Sequence, residues 1–380
     1  MTTASRTLTV GVPAEIKNSE YRVAITPDGV RELVHHEVPV LIQAGAGEGA
    51  SIPDADYQAA GAEVVAGPNA AEGVWSRADL ICKVKEPQAS EFPYLTARGD
   101  SLVLFTYLHL AAYPEVAKAL LAAKTTAIAY ETVQLEGEGG HPGALPLLAP
   151  MSEVAGRMAT QAGAHFLQKE TGGRGVLLGG APGVRPGRVV VLGAGNVGWN
   201  AAWIAAGMEA EVVLLDKNLD RLRWVDQIHK GRIMTLASNR GAVERAVADA
   251  DLLIGAVLVP GGRAPTVVTE SMVEGMRPGS VVVDVAIDQG GCIEGIHETT
   301  HTDPIYVKHD VIHYAVGNIP GAVPNTSTYA LTNATLPYLL ELATKGIETA
   351  LQRDPALAHG LNTRNGEITH PAVAEALGVS

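Results

Sequence analysis

The sequence predicts an α/β fold with two domains, each built on a parallel sheet. Three observations support this prediction. The chain has 380 residues, which is long enough for two domains with separate cores. Its composition is that of a globular protein, with 47% apolar and 18% charged residues. Short, nearly continuous apolar segments alternate with helical patterns, which is typical of parallel strands covered by helices on both faces.

The predicted strands form two series. The first contains LTVGVPAE, VPVLIQAG, ADLICKVKEP, SLVLFTYLH and TTAIAYETV, and the second contains GRVVVLGAG, AEVVLLD, ADLLIGAVLVP and GSVVVDVAIDQ. The intervening segment LEGEGGHPGALPLLAP is rich in Gly and Pro, which indicates a crossing between domains. The helical pattern after residue 324 has no strand of its own to cover. We therefore expect one discontinuous domain of residues 1–142 and 325–380, and a second of residues 143–324.

Charge and cysteine content exclude several classes of protein. The formal net charge is −13, and Lys and Arg are dispersed, so we expect no nucleic-acid partner. The two cysteines give no disulfide framework, which fits a reducing compartment. The first residues lack an apolar core followed by a cleavage site, and no stretch reaches about 18 apolar residues. We expect a soluble, cytoplasmic protein without a membrane partner.

The second domain carries a dinucleotide-binding motif. Gly193, Gly195 and Gly198 form G-x-G-x-x-G directly after an apolar strand and before an alanine-rich helix, and the next strand ends at Asp216. The glycines allow a tight turn, close approach to a pyrophosphate, and close packing of helix and strand. Asp216 suits ribose hydroxyls and repels a 2′-phosphate. The pattern predicts a Rossmann-like domain that binds NAD rather than NADP.

A second motif, HETTH at residues 297–301, matches the zinc-binding pattern H-E-x-x-H. That pattern requires both histidines on one face of a helix, whereas two threonines and Pro304 oppose helix formation here. We interpret the segment as a surface loop and expect no metal.

Polar residues follow several of the predicted strands, where ligands bind in open α/β sheets. The strand ends present Arg22, Lys83, Lys85 and His109. Each has an ordinary structural explanation when taken alone. Arg22 could form a surface ion pair, the two lysines could be solvated, and His109 could be a hydrogen-bonded core residue. Together with a bound nicotinamide they predict a site for a small carboxylate-bearing substrate.

Ten sequence blocks resemble the alanine dehydrogenase and transhydrogenase family over residues 10–360, nearly the whole chain. They are EIKNSEYRVAITPDGV, QAGAGEGASIPDADY, KVKEP, LFTYLHLA, AYETVQ, LPLLAPMSEVAGR, LGAGNVG, GAVLVPGGRAP, VDVAIDQGGCIEG and TSTYALTNATLPY. The resemblance implies a substrate domain formed by the discontinuous segments and NAD-dependent oxidative deamination of L-alanine to pyruvate and ammonium, with the reverse amination. It also implies a homohexamer.

The resemblance also implies roles for individual residues. Arg22 and Lys85 match the substrate-binding residues, and His109 and Asp288 match the catalytic ones. The cofactor contacts carry over to Ser152, Gly193, Ala194, Gly195, Asn196, Val197, Gly198, Asp216, Arg221, Ser238, Val257, Leu258, Ile287, Asp288, Val316, Asn318 and Ile319. The family usually reads VANMP where this chain reads VGNIP, at residues 316–320. Lys345 stands where a family metal site has been proposed to use His, so no metal is carried over.

The segment VVVDVAIDQGG contains two acids, for which we expect different roles. Asp288 should follow the strand directly and project towards the ligand, to hold the cationic amine or orient water. Asp284 should lie deeper on the same strand face and accept hydrogen bonds from the backbone of a loop.

Three other functions remain open at this level. One is an NAD-binding transhydrogenase subunit, which passes hydride to NADP on a partner protein. Another is an opine-forming relative with a wider substrate pocket. The third is an NAD-binding sensor without turnover, which would leave the four polar residues without a task.

We predict that Asp288→Asn loses most of the turnover while NADH still binds, because the amide lacks the negative charge. Steady-state kinetics and an NADH titration of the same preparation check this. Near-normal turnover in the variant would contradict the assigned role.

Overall fold

The computed structural model describes residues 7–137, 143–257 and 264–378. Its strands, numbered in chain order, are β1 (Val10–Val12), β2 (Val40–Gln43), β3 (Glu63–Val65), β4 (Leu80–Cys82), β5 (Val103–Thr106), β6 (Thr126–Ala129), β7 (Arg188–Leu192), β8 (Glu211–Asp216), β9 (Ile233–Ala237), β10 (Leu252–Gly255), β11 (Val281–Asp284), β12 (Ile305–Lys308), β13 (Val311–Tyr314), β14 (Leu361–Arg364) and β15 (Glu367–Ile368).

Helices connect most of these strands. They are α1 (Pro27–His35), α2 (Asp54–Ala60), α3 (Ala70–Arg77), α4 (Phe92–Arg98), α5 (Pro114–Ala123), α6 (Ala149–Phe166), α7 (Asn196–Gly207), α8 (Leu219–His229), α9 (Arg240–Ala248), α10 (Glu270–Glu274), α11 (Pro324–Lys345), α12 (Ile347–Arg353), α13 (Pro355–His359) and α14 (Pro371–Leu377). None of the helices in the described ranges is both long enough and apolar enough to cross a bilayer.

The chain divides into two compact units. The first comprises Met1–Met151 and Val323–Ser380, and its sheet has the strand order β15-β14-β6-β5-β4-β1-β2-β3. Strand β1 pairs in parallel with both β2 and β4. The connections therefore turn in opposite directions from β1, and the sheet has its topological switch point between β1 and β4.

The second unit comprises Ser152–Ala322, and its sheet has the order β12-β13-β11-β10-β7-β8-β9. Strand β7 pairs in parallel with β8 and β10, which places the switch point between β7 and β10. Val189, Val190 and Val191 of β7 are fully buried, as expected for a central strand covered on both faces. The α/β prediction with two mostly parallel sheets is confirmed.

Both sheets also contain antiparallel strands that the sequence interpretation missed. Strand β12 pairs antiparallel with β13, and β14 pairs antiparallel with β6 and β15. The expectation of no strand after residue 324 was therefore wrong. Asn365 and Gly366 join β14 to β15 with φ of 53° and 84°, the conformation of a tight hairpin turn. Strand β14 was missed because its sequence, Leu-Asn-Thr-Arg, contains no apolar run.

Asp284 ends β11 and organises the turn after it. One carboxylate oxygen accepts the Ala286 N–H at 2.9 Å, and the other accepts the N–H groups of Cys292 at 2.8 Å and Ile293 at 3.2 Å. The side chain is fully buried, and burial raises its pKa to about 6, while the backbone N–H donors oppose that rise. The expected structural role of Asp284 is confirmed.

We predict that Asp284→Ala lowers the free energy of unfolding by about 3 kcal/mol, because three buried N–H groups lose their acceptor. Chemical denaturation at fixed protein and cofactor concentration measures this. The control is Asp288→Ala, which removes an exposed carboxylate and should change stability by less than about 0.5 kcal/mol. Equal effects of the two substitutions would contradict the structural role of Asp284.

Candidate functional site

The glycine motif of the second unit forms a tight turn between β7 and α7. Gly193 has a φ of 99°, and a Cβ there would lie 2.5 Å from the carbonyl oxygen of Ala256. A Cβ at Gly198 would overlap the carbonyl oxygen of Gly193. Gly195 is the N-cap residue of α7, and it caps the helix without a side chain. The turn therefore leaves the N–H groups of the first turn of α7 accessible to an anion, which fits the pyrophosphate of a dinucleotide.

Asp216 stands at the end of β8, beside this turn. Its carboxylate accepts the Ala194 N–H at 2.6 Å and the Asn218 N–H at 2.7 Å. The Arg221 guanidinium lies 3.8 Å away, with its side chain 57% exposed. Asp216 therefore holds the glycine turn in place in addition to the ribose-binding role that the motif predicts.

The other predicted cofactor residues follow the strands of this sheet at the carboxyl edge. Ser238 follows β9, and its N–H donates to the Asp216 carbonyl oxygen at 2.9 Å. Val257 follows β10, Ile287 and Asp288 follow β11, and Val316, Asn318 and Ile319 follow β13. These strands are parallel, so the segments share one edge. Leu258 lies outside the described residues.

Ser152 comes from α6 instead of from a strand end. A Cβ at Gly156, one turn further along α6, would overlap the carbonyl oxygen of Val197 in the first turn of α7. The absence of a side chain at 156 therefore lets the first turns of the two helices approach closely. This approach places Ser152 on the element next to the glycine turn, together with Asn196 and Val197.

The position of Asp288 differs from the expectation. Strand β11 ends at Asp284, and Asp288 lies on a 3₁₀ turn, Val285–Gln289. The two acids are therefore not related by the alternation of a strand, and Asp288 is exposed whereas Asp284 is buried. The expected turn at the glycine pair is present, since Gly290 and Gly291 have φ of 90° and 77°.

HETTH forms no helix, as predicted. Residues 297–304 are irregular, apart from a parallel bridge between Thr299 and Val316. The Nε2 atom of His301 lies 3.2 Å from the carbonyl oxygen of Asn318, and the His297 ring stacks on Tyr306 with centroids 3.8 Å apart. The segment therefore supports the loop that contains the predicted cofactor residues Val316, Asn318 and Ile319.

Arg22 of the first unit is 2% exposed and paired with an acid. Its Nε atom donates to Oε1 of Glu20 at 2.6 Å, and Nη2 donates to Oε2 at 2.5 Å. Its Nη1 atom contacts the Met151 sulfur at 3.0 Å. Glu20 thus occupies one edge of the guanidinium, while the Nη1 side faces a weak acceptor that a carboxylate can replace.

The two lysines of KVKEP have different surroundings. Lys83 is fully buried, with its Nζ atom 3.1 Å from Glu15 and 3.0 Å from Glu91, so a solvated side chain was the wrong expectation for it. Lys85 is partly exposed. Glu15 also accepts the Val84 N–H at 2.6 Å, and Thr106 donates to the Lys85 carbonyl oxygen at 3.0 Å. These bonds hold the backbone of the loop that presents Lys85.

His109 has a left-handed backbone, with φ of 47°. Glu131 stabilises this conformation, because its Oε1 atom accepts the N–H groups of His109 at 2.5 Å and Leu108 at 3.1 Å. The imidazole stacks parallel to the Tyr107 ring at 5.6 Å. Burial, followed by the positive charges of Lys85, Lys17 and Arg22, lowers the pKa of His109 to about 3, although a third of the side chain is exposed.

The first unit thus brings Arg22, Lys85 and His109 into one electrostatic environment, on the loops that follow β1, β4 and β5. Arg22 lies in the loop between β1 and α1, so the strand end expected for it was wrong. The His109 imidazole is therefore neutral at pH 7. Sequence reasoning missed Glu15, Glu20 and Glu131, which hold these three residues. Their signal was weak, because a single acid near a strand end has no motif.

Comparison with known proteins identifies the family of the chain. Residues 11–155 match the family model "Alanine dehydrogenase/PNT, N-terminal domain", and residues 159–371 match the corresponding C-terminal domain. An alanine dehydrogenase of Mycolicibacterium smegmatis is 56% identical, over 97% of this chain and 96% of the relative.

Solved structures give the same result. One titled L-alanine dehydrogenase has a TM-score of 0.92 and 51% identity, covering 98% of this chain and 99% of that chain. A transhydrogenase from Sinorhizobium meliloti has a TM-score of 0.79 and 25% identity, with 96% and 99% covered. The chain belongs to the alanine dehydrogenase and pyridine nucleotide transhydrogenase family.

Proposed function

We propose that the chain is an NAD-dependent L-alanine dehydrogenase, which oxidises L-alanine to pyruvate and ammonium and catalyses the reverse amination. The observation that carries this proposal is the grouping of Arg22, Lys85 and His109 at the switch point of the first sheet. A guanidinium, an amine and an imidazole suit a small acid that contains a reacting carbonyl or amine. The first unit is then the substrate domain, and the second is the NAD-binding domain.

Arg22 binds the substrate carboxylate through the Nη1 side of its guanidinium. The ion pair with Glu20 fixes the plane of the guanidinium, so little side-chain entropy is lost when the carboxylate binds. A carboxylate is also a far stronger acceptor than the Met151 sulfur that it replaces. Fixing the carboxylate orients Cα and its hydrogen, which is the geometry that hydride transfer requires.

Lys85 and His109 act on the oxygen that becomes the pyruvate carbonyl. The Lys85 ammonium stabilises negative charge on that oxygen as it develops. His109 begins as a neutral imidazole, so it can accept the proton that water releases when it adds to the imine, and it returns that proton as ammonia leaves. The Glu131 carboxylate accepts the backbone N–H of His109, and this bond holds the backbone that carries the imidazole in position for both transfers.

The second unit holds NAD by its glycine turn, α7 and Asp216. The first turn of α7 binds the pyrophosphate, and Asp216 binds the ribose hydroxyls. When bound, the nicotinamide supplies a hydride acceptor for the Cα hydrogen of L-alanine. The exposed Asp288 holds the cationic amine or orients the attacking water.

We further propose that the protein works in the cytoplasm as a homo-oligomer, a hexamer by the family resemblance. Large apolar side chains of the second unit, such as Leu177 (71% exposed) and Val184 (64% exposed), are open to contact with another copy of the chain.

The decisive experiment mixes purified protein with NAD and L-alanine at alkaline pH and follows NADH by its near-ultraviolet absorbance. D-alanine, NADP and L-alanine without NAD are the parallel controls. NADH formed only with L-alanine and NAD supports the proposal. If no NADH forms, but hydride exchange begins once an NADP-binding partner is added, the chain is a transhydrogenase component instead.

We predict that Asp216→Ser raises the KM for NAD at least about tenfold and shifts the preference towards NADP. The substitution removes the acceptor for the ribose hydroxyls and the negative charge that repels a 2′-phosphate. The neighbouring Arg221 is retained and can pair with the 2′-phosphate of NADP. Steady-state kinetics with both cofactors measure the change. The control, Asp226→Ser, alters an exposed acid of α8 and should leave both KM values unchanged. An unaltered preference for NAD in Asp216→Ser would contradict the role of Asp216.

We predict that Glu131→Gln lowers kcat/KM for L-alanine about tenfold or more, because the neutral amide accepts more weakly than the carboxylate and puts an NH2 donor where Oε2 accepts the Leu108 N–H. The left-handed backbone at His109 then loses support, and the imidazole is held less well. Kinetics at saturating NAD measure the effect. Glu63→Gln, which alters an exposed acid of the same unit, is the control and should leave kcat/KM for L-alanine unchanged. Equal kcat/KM in Glu131→Gln and wild type would exclude this positioning role.

A further inference from the structure

Gly317 lies where the HETTH segment approaches the catalytic aspartate. A Cβ at residue 317 would overlap Oε1 of Glu298 and lie 3.4 Å from Oδ1 of Asp288. The Glu298 carboxylate therefore occupies the space that a side chain at 317 would take. The two carboxylates converge on this point and are close neighbours, and both residues are exposed.

Backbone contacts determine the position of Glu298. The N–H of the next residue, Thr299, donates to the Ala315 carbonyl oxygen at 2.9 Å, and the Gly317 N–H donates to the Thr299 carbonyl oxygen at 3.3 Å. The Thr299 hydroxyl accepts the Ala315 N–H at 3.2 Å and donates to the Pro304 carbonyl oxygen at 2.9 Å. Residues on both sides of Glu298 are thus anchored, since His297 stacks on Tyr306.

We propose that Glu298 is a positioning residue that acts through Asp288 and increases the affinity of the site for ammonium. This inference rests on the proposed function, because ammonium is a substrate only if the chain aminates pyruvate. A second negative charge beside Asp288 lowers the free energy of a small cation held there, by an amount that falls with ionic strength. The missing side chain at Gly317 allows Glu298 to take this position.

The contribution of the Glu298 charge to ammonium affinity is tested with Glu298→Gln, which keeps the shape of the side chain. In the amination of pyruvate, we expect the KM for ammonium to rise about threefold at low salt. The KM values for pyruvate and NADH, and kcat, should stay unchanged. In about 1 M KCl the difference from wild type should largely disappear, because the Debye length falls to about 3 Å. Asp303→Asn, which removes an exposed charge from the same loop, is the matched control and should leave the KM for ammonium unchanged.

The importance of the position of the Glu298 carboxylate is tested with Gly317→Ala, whose methyl group displaces that carboxylate. We expect the same rise in the KM for ammonium as in Glu298→Gln, and no further rise in the double variant. Additive effects, an unchanged KM for ammonium in Glu298→Gln, or a joint rise of all three KM values would each overturn the inference while leaving the proposed function intact. A wild-type protein that does not aminate pyruvate would overturn both.

Discussion

Parallel strand pairing is the constraint on which the rest of the structure depends. Two parallel strands can be joined only by a crossover that carries the chain back to the edge where the first strand began, so the carboxyl ends of successive strands collect at the opposite edge. In both units the first strand has parallel partners on either side, β2 and β4 for β1, and β8 and β10 for β7. Residues far apart in sequence, such as Arg22 and His109, become neighbours for this reason.

Ion pairs and hydrogen bonds from acidic side chains then fix the basic residues of the first unit. Lys83 is fully buried between Glu15 and Glu91, and removal of either acid would leave a charge in the core poorly compensated. Glu15 also binds the Val84 N–H, so the same carboxylate that neutralises Lys83 determines the path of the loop bearing Lys85. Arg22 and His109 depend likewise on Glu20 and Glu131. The acids of the first unit thus hold its basic groups in position.

In the second unit, backbone conformation separates the roles of two similar side chains. The strand ends at Asp284, whose carboxylate accepts N–H groups from the following turn and from Cys292 and Ile293. The 3₁₀ turn then carries Asp288 to the surface. The segment 297–301 pairs with residues 315–317 and so borders the same region, which gives HETTH a structural explanation that needs no metal.

The sequence by itself determined the α/β class, the glycine turn with Asp216, and the irregular path of HETTH, because each depends on local patterns of a few residues. Tertiary structure alone decided that Lys83 is buried while Lys85 is partly exposed, that the Met151 sulfur contacts Nη1 of Arg22, and that Glu131 holds His109. It also decided the proximity of Glu298 to Asp288. These features depend on which strands pair and where the chain crosses, and such long-range contacts have no periodicity in the sequence. The hairpin at Asn365 and Gly366 was not predicted, because its polar strand β14 joins the sheet only through pairing with the edge of β6.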